Sequence, residues 1–393
     1  MKKDKFNQLK NRKNSNCIKW DLMTKLNYDP DVIPMWVADT DFETDDAVID
    51  ALKERVDHKL FGYHLSHDQY KDAIVSWCAI RHHTTIDPRA ILSTPGVVSA
   101  IAATIQALTK KDDAIMIFEP VYHPFKKMIQ INNRHVVVSE LLCDETNHYS
   151  INFEDMDYQI KHQHVKMMIF CSPHNPVGRV WTQEELHQLA QICQMHNVIL
   201  VSDEIHMDFV YTPHQHHMLI GLDDAYKDFV ITLISASKTF NLADTKTSQA
   251  IIYNTSYYRS ISHEFEKLGI TTTSGWGQIA QQAAYTHGGH YVDQMIEHLQ
   301  TNKQIVIDLL QDNDSLIKVT DSEGLYLLWL DFRAYKKDHQ ELMDILLKQA
   351  KVWLHNGSIF GQTGHGFFRM NIATSTTLVK QATQQIIDVF RYF

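Results

Sequence analysis

The chain has 393 residues, 44% of them hydrophobic, which is enough to bury more than one core and predicts two domains. Its formal net charge is −10, with acids and bases interspersed and no basic block, which argues against nucleic acid as a partner. Five dispersed cysteines (Cys17, Cys78, Cys143, Cys171 and Cys193) lack disulfide or metal spacing, and no run of about 18 apolar residues occurs, so neither a disulfide scaffold nor a membrane span is expected.

In chain order, the basic start Met1-Lys2-Lys3-Asp4-Lys5-Phe6 is followed by no apolar stretch of the export type, so a cytoplasmic location is expected. The segment Ser93-Thr94-Pro95-Gly96 punctuates the chain, and small apolar residues then predict a helix over 98–108. Apolar runs predict strands at 114–118, 135–138, 166–171, 198–202, 229–234 and 249–253, with helices at 182–196, 274–285 and 291–311. Alternation of this kind argues for a mostly parallel sheet flanked by helices. After Glu323-Gly324, strand-like 325–330, a helix over 339–350, strand-like 366–372 and a last helix from Ser375 read as a separate α+β unit. The 24 histidines cluster at His82-His83, His214 to His217 and His287 to His290 without acids or cysteines in a ligand pattern, so solvated loops and no metal site are expected.

Residues able to carry chemistry sit directly after the predicted strands. Lys238 lies in Ser235-Ala236-Ser237-Lys238-Thr239, at the end of the 229–234 run. A lysine leaving a buried strand becomes desolvated, loses its proton more easily and can form a Schiff base with an aldehyde, which is how pyridoxal 5'-phosphate (PLP) is held. A pyridinium ring also needs a carboxylate against its nitrogen, and Asp203 ends the strand 198–202. Asn175, between Pro173 and Pro176, could donate to the ring's phenolate oxygen. The helix start at Gly96 suits a phosphate, with Ser235, Ser237 and Lys246 as further donors.

These blocks, with Met35-Trp36-Val37-Ala38-Asp39, Phe61-Gly62-Tyr63, Glu119-Pro120-Val121-Tyr122, Ser202-Asp203-Glu204-Ile205-His206 and Phe368-Arg369-Met370-Asn371, span nearly the whole chain. Together they resemble the fold-type I PLP enzymes and, more narrowly, the MalY/PatB branch of cystathionine β-lyases, also described as cysteine-S-conjugate β-lyases, cystalysin among them. The resemblance implies an aspartate aminotransferase-like α/β fold. Residues 1–45 would form an N-terminal arm and part of a small domain, 46–285 a large PLP-binding domain, and 286–393 an interdomain helix and the rest of the small α+β domain.

Carried over to this chain, the resemblance makes Lys238 the Schiff-base lysine and proton-transfer group, Asp203 the pyridine partner and Asn175 the phenolate donor. Tyr122 would stack on the cofactor, with His206, Gly96, Val97, Val98, Ser235, Ser237 and Lys246 around it. Tyr63 would reach the phosphate of a neighbouring subunit in a homodimer. Arg369 would grip the substrate α-carboxylate, near Val37 and Ala38. His206 stands where ordinary aspartate-type aminotransferases carry tyrosine, and Lys246 where they carry a phosphate-binding arginine. Two positions depart from the branch: Asp244 replaces a glycine near the phosphate site, and His123 follows Tyr122. The implied activity is α,β-elimination from a sulfur amino acid to pyruvate, ammonia and a thiol. An aminotransferase, a protein with an added regulatory partner and a catalytically silent PLP binder remain as alternatives.

Overall fold

The computed structural model describes residues 5–393; the basic start at 1–4 lies outside the described residues. Strands occur in the order β1 (Ile33–Met35), β2 (Ile91–Thr94), β3 (Ala114–Glu119), β4 (His135–Glu140), β5 (Leu142–Cys143), β6 (Tyr149–Ser150), β7 (Met167–Cys171) and β8 (Ile199–Asp203). They continue as β9 (Val230–Ile234), β10 (Ser248–Ile251), β11 (Lys318–Val319), β12 (Leu327–Asp331), β13 (Val352–Asn356) and β14 (Phe367–Asn371). A seven-stranded sheet runs β2-β10-β9-β8-β7-β3-β4, and β10 alone opposes the direction of the others. Every residue of β7 and β9 is buried. Strands covered on both faces read as unbroken apolar runs, which is why these strands were legible in the sequence.

Helices α1 (Ile18–Lys25), α2 (Asp46–Asp57) and α3 (Asp68–His82) precede this sheet, and α4 (Val97–Leu108), α5 (Pro124–Ile131), α6 (Phe153–His162) and α7 (Gln183–Met195) alternate with its strands. Each of α2, α6 and α7 starts on a side-chain cap, from Asp45, Asn152 and Thr182; in α7, Glu185 completes a capping box. The one-turn α8 (Ala236–Thr239) follows β9, and α9 (Thr255–Lys267) and α10 (Gly275–His287) follow β10. The 24-residue α11 (Gly289–Asp312) then leads to a second, five-stranded sheet ordered β1-β13-β14-β12-β11, flanked by α12 (His339–Asp344) and α13 (Thr376–Phe390).

That second sheet joins the two ends of the chain. Ile33, Pro34 and Met35 pair in parallel with Val352, Trp353 and Leu354. Its central strands β12 and β14 are buried along their whole length. The helix expected over 339–350 is α-helical only to Asp344, and 345–349 widen into a π-turn with Ile345 and Leu346 both buried. β13 was not expected, because Val-Trp-Leu-His-Asn follows that helix at once and its burial is only partial. Among the described residues, no helix is long and apolar enough to cross a membrane.

Candidate active site

Parallel strands end at a common edge, and the loops leaving β7, β8 and β9 bring their first residues together there. A cleft of about 430 Å³ opens at this edge, lined by Ala38, Gly96, Val97, Val98, Tyr122, Asn175, Asp203, His206, Ser235, Ser237, Lys238 and Lys246. Residues as distant in sequence as Ala38 and Lys246 thus face one cavity. Arg369 stands just behind it, hydrogen-bonded to the lining residue Asn175, and Val37 directly precedes the lining residue Ala38. Tyr63 is the exception: it is fully exposed on the single chain, away from the cleft.

Burial sets the proton affinities of the floor. The Asp203 carboxyl is 4% exposed, accepts a hydrogen bond from the Ile205 amide at 3.1 Å and has no cation within salt-bridge distance among the described residues. Desolvation therefore pushes it up to about 7. Lys238 Nζ donates to the Ala38 carbonyl at 2.7 Å, and desolvation lowers the amine to about 8. His206 is driven well below the imidazole range by burial and then by the charges of Lys238 and Arg369; its Nδ1 is buried without a partner. It is a neutral wall of the cleft. Burial, reinforced by Asp203, likewise raises the Tyr122 phenol and keeps it protonated.

At the other end, Gly96 precedes α4 with φ +146°, a conformation that side chains disfavour, and aims the first helical amides at the cleft. Ser235 Oγ accepts from the Ser237 amide at 3.0 Å and donates to the Thr247 carbonyl at 2.8 Å, which fixes the turn that carries Lys238. Lys246 sits in the left-handed region, φ 52°, and puts a cation on the same wall. Asp244 is exposed and is not part of the lining. Helix amides, hydroxyls and a lysine around one end of a cavity form an anion cradle.

Arg369 is 2% exposed and donates to Asn175 Oδ1 at 2.9 Å, so Asn175 is held from its oxygen side and its amide nitrogen is the donor left for a ligand. Burial lowers the guanidinium to about 10, and it stays charged at neutral pH. His123 is half-buried beside the site, lowered by burial and by Arg369 and Lys127.

Comparison with known proteins follows the same lines. The model of the family "Aminotransferase class I and II" matches residues 30–386. The chain belongs to that family. Cystathionine beta-lyase PatB of Bacillus subtilis is 35% identical over 381 residues, covering 97% of this chain and 98% of PatB. The solved structure of cystalysin from Treponema denticola, which contains a pyridoxal 5'-phosphate cofactor, superposes with a TM-score of 0.95 at 32% identity, covering 98% of both chains. A PLP-bound protein from Clostridium difficile 630, described provisionally as an aminotransferase, gives 0.95 at 36% identity over 98% of this chain and 99% of its own. The resemblance read from the motifs, its PLP cofactor and its fold class are those of these relatives.

Within the family frame, three residues of the site had no role assigned from sequence. Asn371 Nδ2 donates to the Val37 and Asp39 carbonyls, both at 2.6 Å, and so pins the loop whose Ala38 carbonyl meets Lys238. Strand alternation could have found it, since Arg369 and Asn371 lie two apart and share a face. Trp36 and His355 both accept from Arg369 Nη2, at 3.0 and 2.8 Å. His355 lies in the unexpected strand β13, so no sequence signal placed it there.

Proposed function

We propose that this chain is a PLP-dependent carbon–sulfur β-lyase that cleaves L-cystathionine or a related cysteine S-conjugate to pyruvate, ammonia and a thiol. The observation that carries this reading is one cleft holding a buried amine lowered to about 8 together with a buried carboxyl that has no cation within salt-bridge distance among the described residues. The residues fit the cofactor. Asp203 lacks the positive charge that a protonated pyridine nitrogen would bring, and Gly96, Val97, Val98, Ser235, Ser237 and Lys246 would hold the phosphate. When bound, PLP supplies an electron-withdrawing ring conjugated to the substrate's α-carbon.

The chain's own groups do the rest. Lys238 would hold the cofactor and, displaced by the substrate amine, would take the α-proton on Nζ; an amine near 8 is a competent base at neutral pH. Arg369 would bind the α-carboxylate and hold the substrate by that end. Tyr122 and His206, both uncharged, would cover the cofactor without competing for its charge. Tyr63, exposed on one chain, would meet the phosphate of a partner subunit in a homodimer. The Cβ–S bond breaks with its electron pair leaving on sulfur, which is protonated to the thiol; water converts the remaining three-carbon enamine to pyruvate and ammonia. The relation to PatB supports elimination, and that to the Clostridium difficile protein keeps amino transfer as the reading to test against.

Purified enzyme should release pyruvate from L-cystathionine, and Lys238→Ala should lose both that release and the visible absorption of the bound cofactor. Substantial turnover by Lys238→Ala with the absorption gone would remove Lys238 from this role.

A further inference from the structure

Arg369 on β14 and His355 on β13 are register partners on adjacent strands. Arg369 Nη1 donates to Asn175 Oδ1, Nη2 donates to both the Trp36 carbonyl and His355 Nδ1, and Nε is buried with no partner. Because arginine only donates, His355 Nδ1 is the acceptor and its proton is on Nε2. A guanidinium grips a carboxylate either side-on, through Nε–H and Nη2–H, or end-on, through Nη1–H and Nη2–H. Both grips use Nη2, and both Nη2 protons are already committed.

A carboxylate must therefore displace one of the two acceptors. Trp36 belongs to a backbone segment held on its far side by Asn371, through the Val37 and Asp39 carbonyls. His355 is a side chain and can turn. The charged or titratable groups facing it are Arg369 on β14 and His123 ahead of α5, whose ring lies 6.0 Å away; Trp36 at 5.7 Å and Phe360 at 5.3 Å close its other sides without charge.

Resting on the reading that Arg369 takes the α-carboxylate, we propose that His355 is the exchangeable partner of Arg369. The incoming carboxylate replaces His355 Nδ1 on Nη2, and the released imidazole takes a proton from solvent and becomes a second donor to the same carboxylate. Substrate binding is then coupled to proton uptake at His355, a positioning residue that acts through Arg369. Burial, followed by Arg369 and His123, holds the imidazole well below its usual range before the ligand arrives. A carboxylate between the two groups offsets the guanidinium and favours the protonated ring.

The cofactor-loaded enzyme would be titrated calorimetrically with 3-(methylthio)propionate, a thioether carboxylate with no amine to react, at pH 6.5 in two buffers of different ionisation enthalpy. Wild type should take up about half a proton or more per site, as for an imidazole returned to its ordinary range, and His355→Asn and His355→Phe should lose that uptake. The asparagine keeps an acceptor of similar reach and guards against a folding defect in the phenylalanine variant. Equal uptake in all three proteins, no uptake in wild type, or no binding of the thioether carboxylate would each overturn the proposal. The titration needs no turnover, so an enzyme that failed to eliminate thiol would still report on His355.

Discussion

Asp203 is the residue at which the site works against the fold. Its folded carboxyl titrates near 7 against an ordinary value of 3.8, so its protonated form fits the folded cofactor-free chain and its ionised form does not. A group raised in this way contributes its stability at low pH and loses it as pH climbs from about 4 through 7. Cofactor-free Asp203→Asn should therefore exceed cofactor-free wild type in unfolding free energy by a few kcal/mol at pH 8, and the gap should close near pH 4. Chemical denaturation at the two pH values checks this; a wild type equal to or more stable than the variant at pH 8 would contradict it. Lys238 adds an opposite slope. Its amine is lowered from 10.5 to about 8, so the folded chain loses stability as pH falls from above 10 through 8. Both residues were legible in the sequence because Asp203 ends an apolar strand and Lys238 follows one within a turn. Asn371 and His355 were not, because Asn371 holds carbonyls more than 300 residues away and His355 meets Arg369 only through the pairing of β13 with β14.

At the level of elements, the parallel strands β3, β7, β8 and β9 and the loops at their ends were readable because each strand is buried nearly throughout and so reads as a short apolar run. The N-terminal helices α1 to α3 and the strand β13 were not read: α1, α2 and β13 bury few positions, and β1 and β13 complete each other across more than 300 residues. The start of α4 offers the sharpest test of an element's role. Gly96 at φ +146° has nothing closer than Ser99 Oγ at 4.0 Å to an added Cβ, so alanine is opposed by backbone conformation and not by space. Gly96→Ala should weaken PLP binding about tenfold or more while the chain still folds, matching a strain of ~1–3 kcal/mol. Titration of cofactor absorbance against added PLP reads the loss; unchanged affinity would mean that the turn does not hold the phosphate.

For the whole molecule, the two sheets meet around the cleft, and contacts between distant segments hold them there. Arg179 bridges Glu185 and Glu323 at 3.0 and 2.9 Å, while Asn241 reaches back to the Thr40 carbonyl at 3.0 Å. The segment around Tyr63 leaves Leu60, Phe61 and Leu65 exposed, with Phe61 stacked 5.7 Å from Trp276. If this surface seats a second subunit and brings Tyr63 to its phosphate, sedimentation should give a dimer, and Tyr63→Phe should weaken PLP binding without dissolving it. A monomer retaining full cofactor affinity would contradict this assignment. Elimination at the Lys238 cleft is read by following pyruvate and free thiol from L-cystathionine with and without an added α-keto acid. A lyase should give equal amounts of pyruvate and thiol with no keto acid present; amino transfer that requires the keto acid and releases no thiol would make the enzyme an aminotransferase instead.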